Sequence, residues 1–219
     1  MRALKFGQKA ARSGKARSIV VFLHGYGADG ADLLGLAEPL ALHMPDTLFL
    51  APDAPEQCSG YPVGRQWFPI PRLDGSSEAD ATVRLDAAAE DLHAFLDARL
   101  DDAELTAANL ALIGFSQGTM MALHVAPRRS APLAAVVGFS GRLLRPHALV
   151  AEAISKPPVL LLHGDADQVV PFADMGLARQ ALTAAGFDIR SHVMKGAGHG
   201  IAPDGLSSAL SFLLPRIGA

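Results

Sequence analysis

The chain has 219 residues, half of them hydrophobic and 19% charged, with a formal net charge of −3. That content builds a large core and excludes a disordered chain. A sequence pI of about 6.2 lacks the basic excess of a nucleic-acid binder. The single cysteine, Cys58, excludes an internal disulfide and suits a reducing, cytoplasmic compartment.

The length predicts one domain over residues 1–219. The first residues are basic, with Arg2, Lys5, Lys9, Arg12, Lys15 and Arg17 before the first acid, Asp29. The apolar run that follows, Ile19–Leu23, is far shorter than a signal peptide core or a membrane span and reads as the first core strand. No stable membrane insertion is expected.

From there short β-rich runs alternate with helix-like stretches. The expected strands are Ile19–Leu23, Thr47–Ala51, Asn109–Phe115, Ala134–Phe139, Pro158–His163 and Ile189–Met194. The expected helices are Ala31–His43, Ala81–Leu100, Gln117–Ala126, Pro146–Ile154, Ala173–Ala185 and Asp204–Leu213. Strands alternating with helices predict an α/β fold, a mostly parallel central sheet with helices on both faces. The strands are near-continuously apolar, as strands buried on both faces are. The stretch Pro52–Asp80 breaks the rhythm. It is Pro- and Gly-rich, and its Tyr61, Val63, Trp67, Phe68, Ile70 and Leu73 fit either the wall of a binding cleft or plain packing of a loop onto the domain.

Between the third β run and the helix after it stands Gly114-Phe115-Ser116-Gln117-Gly118. This is the G-x-S-x-G nucleophile elbow, a strand-to-helix turn that lifts a serine hydroxyl above the sheet edge. Glycines two residues to either side let the helix pack back on the strand. The N–H of Gln117 is aimed at the oxygen of a bound acyl group, backed by the helix N-terminus. A serine hydroxyl is a weak nucleophile and needs a base and a group to orient that base. In this arrangement the acid and then the histidine follow on later loops. After the fifth β run comes His163-Gly-Asp165-Ala-Asp167-Gln-Val-Val-Pro171. Asp167, at the far side of that turn, is expected as the orienter, and Asp165 as a turn residue bonding local backbone. After the last β run, Gly198-His199-Gly200 supplies the base. His24 and His163 each precede a glycine at a strand end and are expected to brace turns. No histidine pair has metal-ligand spacing with a third ligand, so no metal and no cofactor is expected.

Residues His24-Gly25-Tyr26-Gly27-Ala28-Asp29-Gly30 follow the first strand. A tetrahedral intermediate needs a second backbone donor from this loop, and Tyr26 is the candidate. The same glycines, Gly25, Gly27 and Gly30, also spell G-x-G-x-x-G, with Asp53 where a Rossmann domain holds its ribose. A dinucleotide-dependent oxidoreductase is therefore the alternative. Against it, Asp29 would sit beside a pyrophosphate, and Ser116, Asp167 and His199 would stand in order by coincidence.

Four segments, Phe22-Leu-His-Gly-Tyr-Gly-Ala-Asp29, Gly114-Phe-Ser-Gln-Gly118, His163-Gly-Asp-Ala-Asp-Gln-Val-Val-Pro171 and Gly198-His-Gly200, together resemble the phospholipase/carboxylesterase family, which includes acyl-protein thioesterases. The resemblance implies an α/β-hydrolase fold without a separate cap domain. It implies a Ser116–Asp167–His199 triad and an oxyanion hole from Tyr26, where the family more often has leucine, and Gln117. Trp67-Phe68 falls where the family has an aromatic pair beside the site. The Pro-rich Pro69–Ser77 differs from the eukaryotic thioesterases, which favours small carboxylic esters over protein deacylation. The expected activity is hydrolysis of small to medium esters, with lysophospholipid or thioester as variants. Trp67, Phe68, Leu143, Leu144 and Val170 are expected to form an apolar substrate pocket; exposed, some would equally suit a homodimer contact. A non-catalytic binding protein on the same fold is the remaining alternative.

Overall fold

The computed structural model describes residues 1–58 and 63–217. In chain order the elements are β1 (Phe6–Lys9), β2 (Ser18–Leu23), α1 (Gly30–Leu34), α2 (Ala37–Ala41), β3 (Thr47–Pro52), β4 (Glu56–Gln57), β5 (Arg65–Gln66), α3 (Pro71–Asp74), α4 (Glu78–Ala103), β6 (Leu110–Phe115), α5 (Gln117–Val125), β7 (Ala135–Phe139), α6 (Leu149–Glu152), β8 (Val159–Gly164), α7 (Ala173–Ala184), β9 (Ile189–Met194) and α8 (Pro203–Leu213). A seven-stranded sheet runs β1-β3-β2-β6-β7-β8-β9. Only β1 is antiparallel to its neighbour.

Every side chain of β2 is buried, because the strand has a helical layer on each face. Ile19, Val21 and Leu23 pack in the cluster that holds α4, α5 and α7. Val20 and Phe22, pointing the other way, pack with α1, α2 and α8. The six expected strands all form, with ends within one residue of the reading. Because β2, β6, β8 and β9 are parallel, the loops that leave them, which carry Tyr26, Ser116, Asp167 and His199, emerge at one edge of the sheet. In open α/β sheets that edge is where ligands bind.

Two expected helices change. The helix expected over Ala31–His43 is two short helices. Pro39 has no N–H to give Gly35, and its ring crowds that carbonyl, so one helix cannot run through. The helix expected over Pro146–Ile154 is one turn, Leu149–Glu152. The edge strand β1 was not legible: Phe6-Gly-Gln-Lys is short and polar, and it is held by its ladder with β3. Within the Pro-rich stretch, β4 and β5 form a two-stranded hairpin. Tyr61 lies outside the described residues.

Helix α5 is buried along its whole length, and this places His124 in the core. Burial, and then the charges of Arg128 and Arg145, lower its pKa from 6.5 to about 4. The folded protein therefore resists binding a proton that the unfolded chain accepts. Stability from this site is complete above pH 6.5 and drains away as the pH falls towards 4. The loss expected over that window is about 3 kcal/mol. Urea titrations at pH 7 and pH 4.5 should show it, and His124→Phe should reduce the difference, leaving the part due to His24 and His93, whose pKa values burial also lowers.

Candidate active site

Ser116 ends β6 and caps α5. Its backbone is left-handed at φ 53° and ψ −114°, a conformation that costs a non-glycine residue energy and marks functional positions. The surroundings impose it. A Cβ on Gly118 would overlap the Leu23 carbonyl, and one on Gly114 would come within 2.6 Å of the Gly118 carbonyl carbon. Only glycines let α5 lie this close to β2 and β6. The Ser116 N–H donates to the Phe139 carbonyl at 2.9 Å. The Thr119 hydroxyl lies 2.8 Å from the Gly114 oxygen and 2.7 Å from that of Phe139, one proton serving both.

Asp167 follows β8, and its carboxylate is fully buried. One oxygen accepts the N–H groups of Val169 and Val170 at 2.8 and 3.0 Å. The other lies 2.7 Å from Nδ1 of His199. Burial alone would raise its pKa. The bonds from His199, Val169 and Val170 outweigh burial and hold the group below the usual carboxylate range. The His199 ring lies against Phe115, the residue before Ser116, at 4.9 Å between centroids. Ser116, Asp167 and His199, up to 83 residues apart in sequence (199 − 116), thus share one edge of the sheet.

The acid and base loops are stitched together. Asp165 Oδ1 accepts the Gly196 N–H at 2.6 Å, and Ala166 N–H donates to Ala197 O at 3.0 Å. Asp165 is therefore not a local turn residue, as the sequence suggested. It reaches 31 residues ahead to hold the base loop. Gly164 makes room for this, since a Cβ there would overlap the Ala197 carbonyl and come within 2.5 Å of Gly198 O. Gly164→Ala should therefore lower kcat by about a hundredfold through a displaced His199, which steady-state kinetics on the folded variant would show.

Gln117, the first residue of α5, has a backbone N–H with no acceptor inside its own helix. Its side chain does something the sequence did not reveal. Oε1 accepts Trp67 N–H at 2.9 Å while Nε2 donates to Phe68 O at 2.7 Å. The buried amide fastens the aromatic pair to the elbow. Across from it, a Cβ on Gly25 would lie 3.5 Å from Cβ of Ser116, so the backbone entering Tyr26 runs beside the nucleophile. His24 and Trp67 fix that turn. His24 accepts Ala54 N–H on Nε2 at 2.9 Å and so donates from Nδ1 to Gly25 O at 2.8 Å. The Trp67 indole N–H donates to His24 O at 3.0 Å. Burial lowers the His24 pKa, in keeping with a neutral ring.

A cavity of about 300 Å³ opens beside the elbow, between α3, α4, α5 and the loop after β7. Phe68, Ile70, Leu85, Met120 and Leu144 give it an apolar lining. Arg72, Arg142, Arg145 and Glu78 are its charged members. Arg145 is tied to Asp86 at 3.0 Å and Arg142 lies 3.1 Å from Asp174. Met120 donates its N–H to Ser116 O, so the cavity begins one helical turn from the nucleophile. Of the expected pocket residues, Phe68 and Leu144 line it. Trp67 is wholly buried and braces the turn instead, and Val170 is buried as a backbone partner of Asp167. Leu143 lines a separate cavity of about 120 Å³ with Asp174, Leu177 and Ala178. Side-chain direction in the loop after β7 decides between Leu143 and Leu144, and no sequence pattern reports it.

The dinucleotide spelling has another explanation. Asp53 Oδ1 accepts the Gly30 N–H at 2.9 Å, and Asp29 caps Ala31 N–H at 3.0 Å. Two carboxylates thus occupy the start of α1, where a pyrophosphate would have to bind. Gly30 is needed because a Cβ would overlap the Ala51 carbonyl, and Gly27 because φ is +83°. Among the described residues no helix is long and apolar enough to cross a membrane.

Comparison with known proteins agrees with this geometry. Residues 9–216 match the phospholipase/carboxylesterase family model. Esterase YpfH of Escherichia coli (strain K12) is 29% identical over 90% of this chain and 82% of its own. The crystal structure of esterase PE8 superposes with a TM-score of 0.93 at 43% identity, covering 99% of this chain and 100% of that one. Acyl-protein thioesterase 2 of Zea mays superposes at 0.78 with 26% identity, covering 98% and 99%. The strand order, the strained serine between β6 and α5 and these likenesses lead to one assignment: the chain belongs to the phospholipase/carboxylesterase family and is an ester hydrolase of the α/β-hydrolase fold.

Proposed function

We propose that the chain hydrolyses small to medium carboxylic esters through an acyl-enzyme on Ser116, with His199 as base and Asp167 as its orienter. The observation that carries this reading is the 2.7 Å bond between His199 Nδ1 and a fully buried Asp167 carboxylate beside the strained Ser116 elbow. Asp167 fixes the proton of His199 on Nδ1, which leaves Nε2 to accept a proton. As Ser116 Oγ attacks the ester carbonyl, its proton passes to Nε2. The backbone N–H groups of Tyr26 and Gln117 receive the oxyanion. The imidazolium then protonates the leaving alcohol, the C–O bond breaks, and an acyl-enzyme remains. Water repeats the sequence on that ester and frees the acid.

Phe68 and Leu144 contact the acyl or alcohol chain in the cavity. Its volume, about 300 Å³, is at the small end for ligand pockets. The substrate class assigned is thus a small diffusible ester rather than a long-chain lipid. Thioesters follow the same chemistry and are the second substrate we assign, since acyl-protein thioesterases are among the relatives. Hydrolysis of p-nitrophenyl esters from acetate to decanoate tests the reading. Activity should peak at acyl chains of about four to eight carbons and fall at decanoate. Equal turnover of all lengths would remove the cavity from the account, and no turnover of any would remove the activity.

A further inference from the structure

His163 is the last residue but one of β8 and is buried. We infer that it is a positioning residue for the Asp167–His199 pair, acting on the same Asp167 oxygen that faces His199. This rests on the reading of Asp167 as the orienter of His199.

Two contacts carry the inference. His163 Nε2 lies 3.0 Å from the Val170 carbonyl oxygen. A carbonyl only accepts, so Nε2 bears the proton and the neutral ring is the Nε2–H tautomer. The same nitrogen is 3.2 Å from Asp167 Oδ2, the oxygen that faces His199 Nδ1 at 2.7 Å. The N–H is directed at Val170, and its positive end lies close to the carboxylate. His163 therefore acts twice. It ties down the Val170 carbonyl, closing the turn whose Val169 and Val170 N–H groups bind Asp167 Oδ1. It also places a partial positive charge beside the oxygen that holds His199. The Phe172 ring meets the imidazole edge-on at 6.0 Å between centroids, and Val193 is its register partner on β9. Asp167 is the carboxylate within 4.0 Å of His163 among the described residues.

A residue that only filled space would not influence the base. One that sets the carboxylate does. Without the N–H dipole, Asp167 Oδ2 is more electron-rich and stabilises the His199 imidazolium more. The acid limb of the kcat/KM profile then moves to higher pH, while the loosened turn lowers kcat.

The test compares His163→Phe, which keeps a planar ring and removes the donor, with His163→Gln, whose amide restores a donor at similar reach. For His163→Phe the expected result is kcat down about tenfold with KM unchanged, and the acid limb raised by roughly half a pH unit. His163→Gln should recover most of both. Wild-type kcat and acid limb in His163→Phe overturn the inference. So does a lowered kcat that the glutamine does not rescue with the limb unmoved, because that is packing alone. If His163→Phe does not fold, nitrogen NMR of the wild-type imidazoles decides: His163 held as Nε2–H supports the inference, and the Nδ1–H tautomer overturns it. Full activity in Asp167→Asn would remove the triad reading and this inference together. An inactive Asp167→Asn beside an unperturbed His163→Phe removes only the latter.

Discussion

Ser116→Ala should lower kcat by about 10⁶, equal to about 8 kcal/mol of transition-state stabilisation. The fold should survive, because the hydroxyl is not part of what holds the elbow. The turn is kept by the Ser116 N–H bond to Phe139, by Thr119 and by the contacts of Gly114 and Gly118, and alanine retains all of these. Alanine meets the same left-handed φ of 53°, so the backbone strain is unchanged to first order. What disappears is the atom that forms the acyl bond. Residual turnover should then reflect the oxyanion donors and binding alone, about 10³ to 10⁴ above water. Steady-state kinetics beside a thermal melt separates this from unfolding. A variant that melts like the wild type and hydrolyses like it would leave Ser116 without a role.

Asp167→Asn is expected to cost about 10⁴ in kcat, for a reason visible in the bonds. The wild-type carboxylate accepts on both oxygens, from two backbone N–H groups on one side and His199 on the other. An asparagine has only one accepting atom. The Val169 and Val170 N–H groups cannot turn, so they claim the amide oxygen, and the NH₂ faces His199. Nδ1 must then accept, and the imidazole proton moves to Nε2, where it blocks uptake of the serine proton. KM should change little, since Asp167 touches no part of the cavity. In the wild type, the lowered pKa of Asp167 keeps it ionised while histidines titrate. The acid-side fall in rate should therefore reflect protonation of an imidazole, and the stability that Asp167 contributes should be lost only at more acidic pH, as the carboxyl itself takes up a proton. A kcat within tenfold of wild type in a folded Asp167→Asn would contradict the orienting role.

The parts of the molecule legible in the sequence are those set by local pattern. The buried strands could be read because continuous apolar runs such as Val20-Val21-Phe22-Leu23 have no other stable place. The elbow could be read because Gly114, Ser116 and Gly118 are demanded by steric contacts within one turn. His199 and Asp167 were legible through order and strand-end position, which the parallel sheet converts into proximity. The parts that were not legible depend on long-range contacts. Asp165 looked like an ordinary turn former, and only the packing of the base loop on Gly164 gives it the Gly196 N–H. Trp67 looked like a pocket wall because large aromatics beside a site usually are. Its indole N–H finds His24 O instead, and the buried Gln117 amide holds its backbone inside. The G-x-G-x-x-G spelling misleads because a tight turn and a close helix–strand approach require glycine whether or not a phosphate is present. Pro39 is a local signal as well, and it splits the helix expected over Ala31–His43.

The most direct test is to treat the protein with an alkyl fluorophosphonate and locate the adduct by peptide mass spectrometry. The account predicts one equivalent, on Ser116, with hydrolysis of p-nitrophenyl butyrate lost in proportion to labelling, and no adduct on Ser116→Ala. An adduct on another residue that abolishes activity, or full activity after Ser116 is modified, would contradict it.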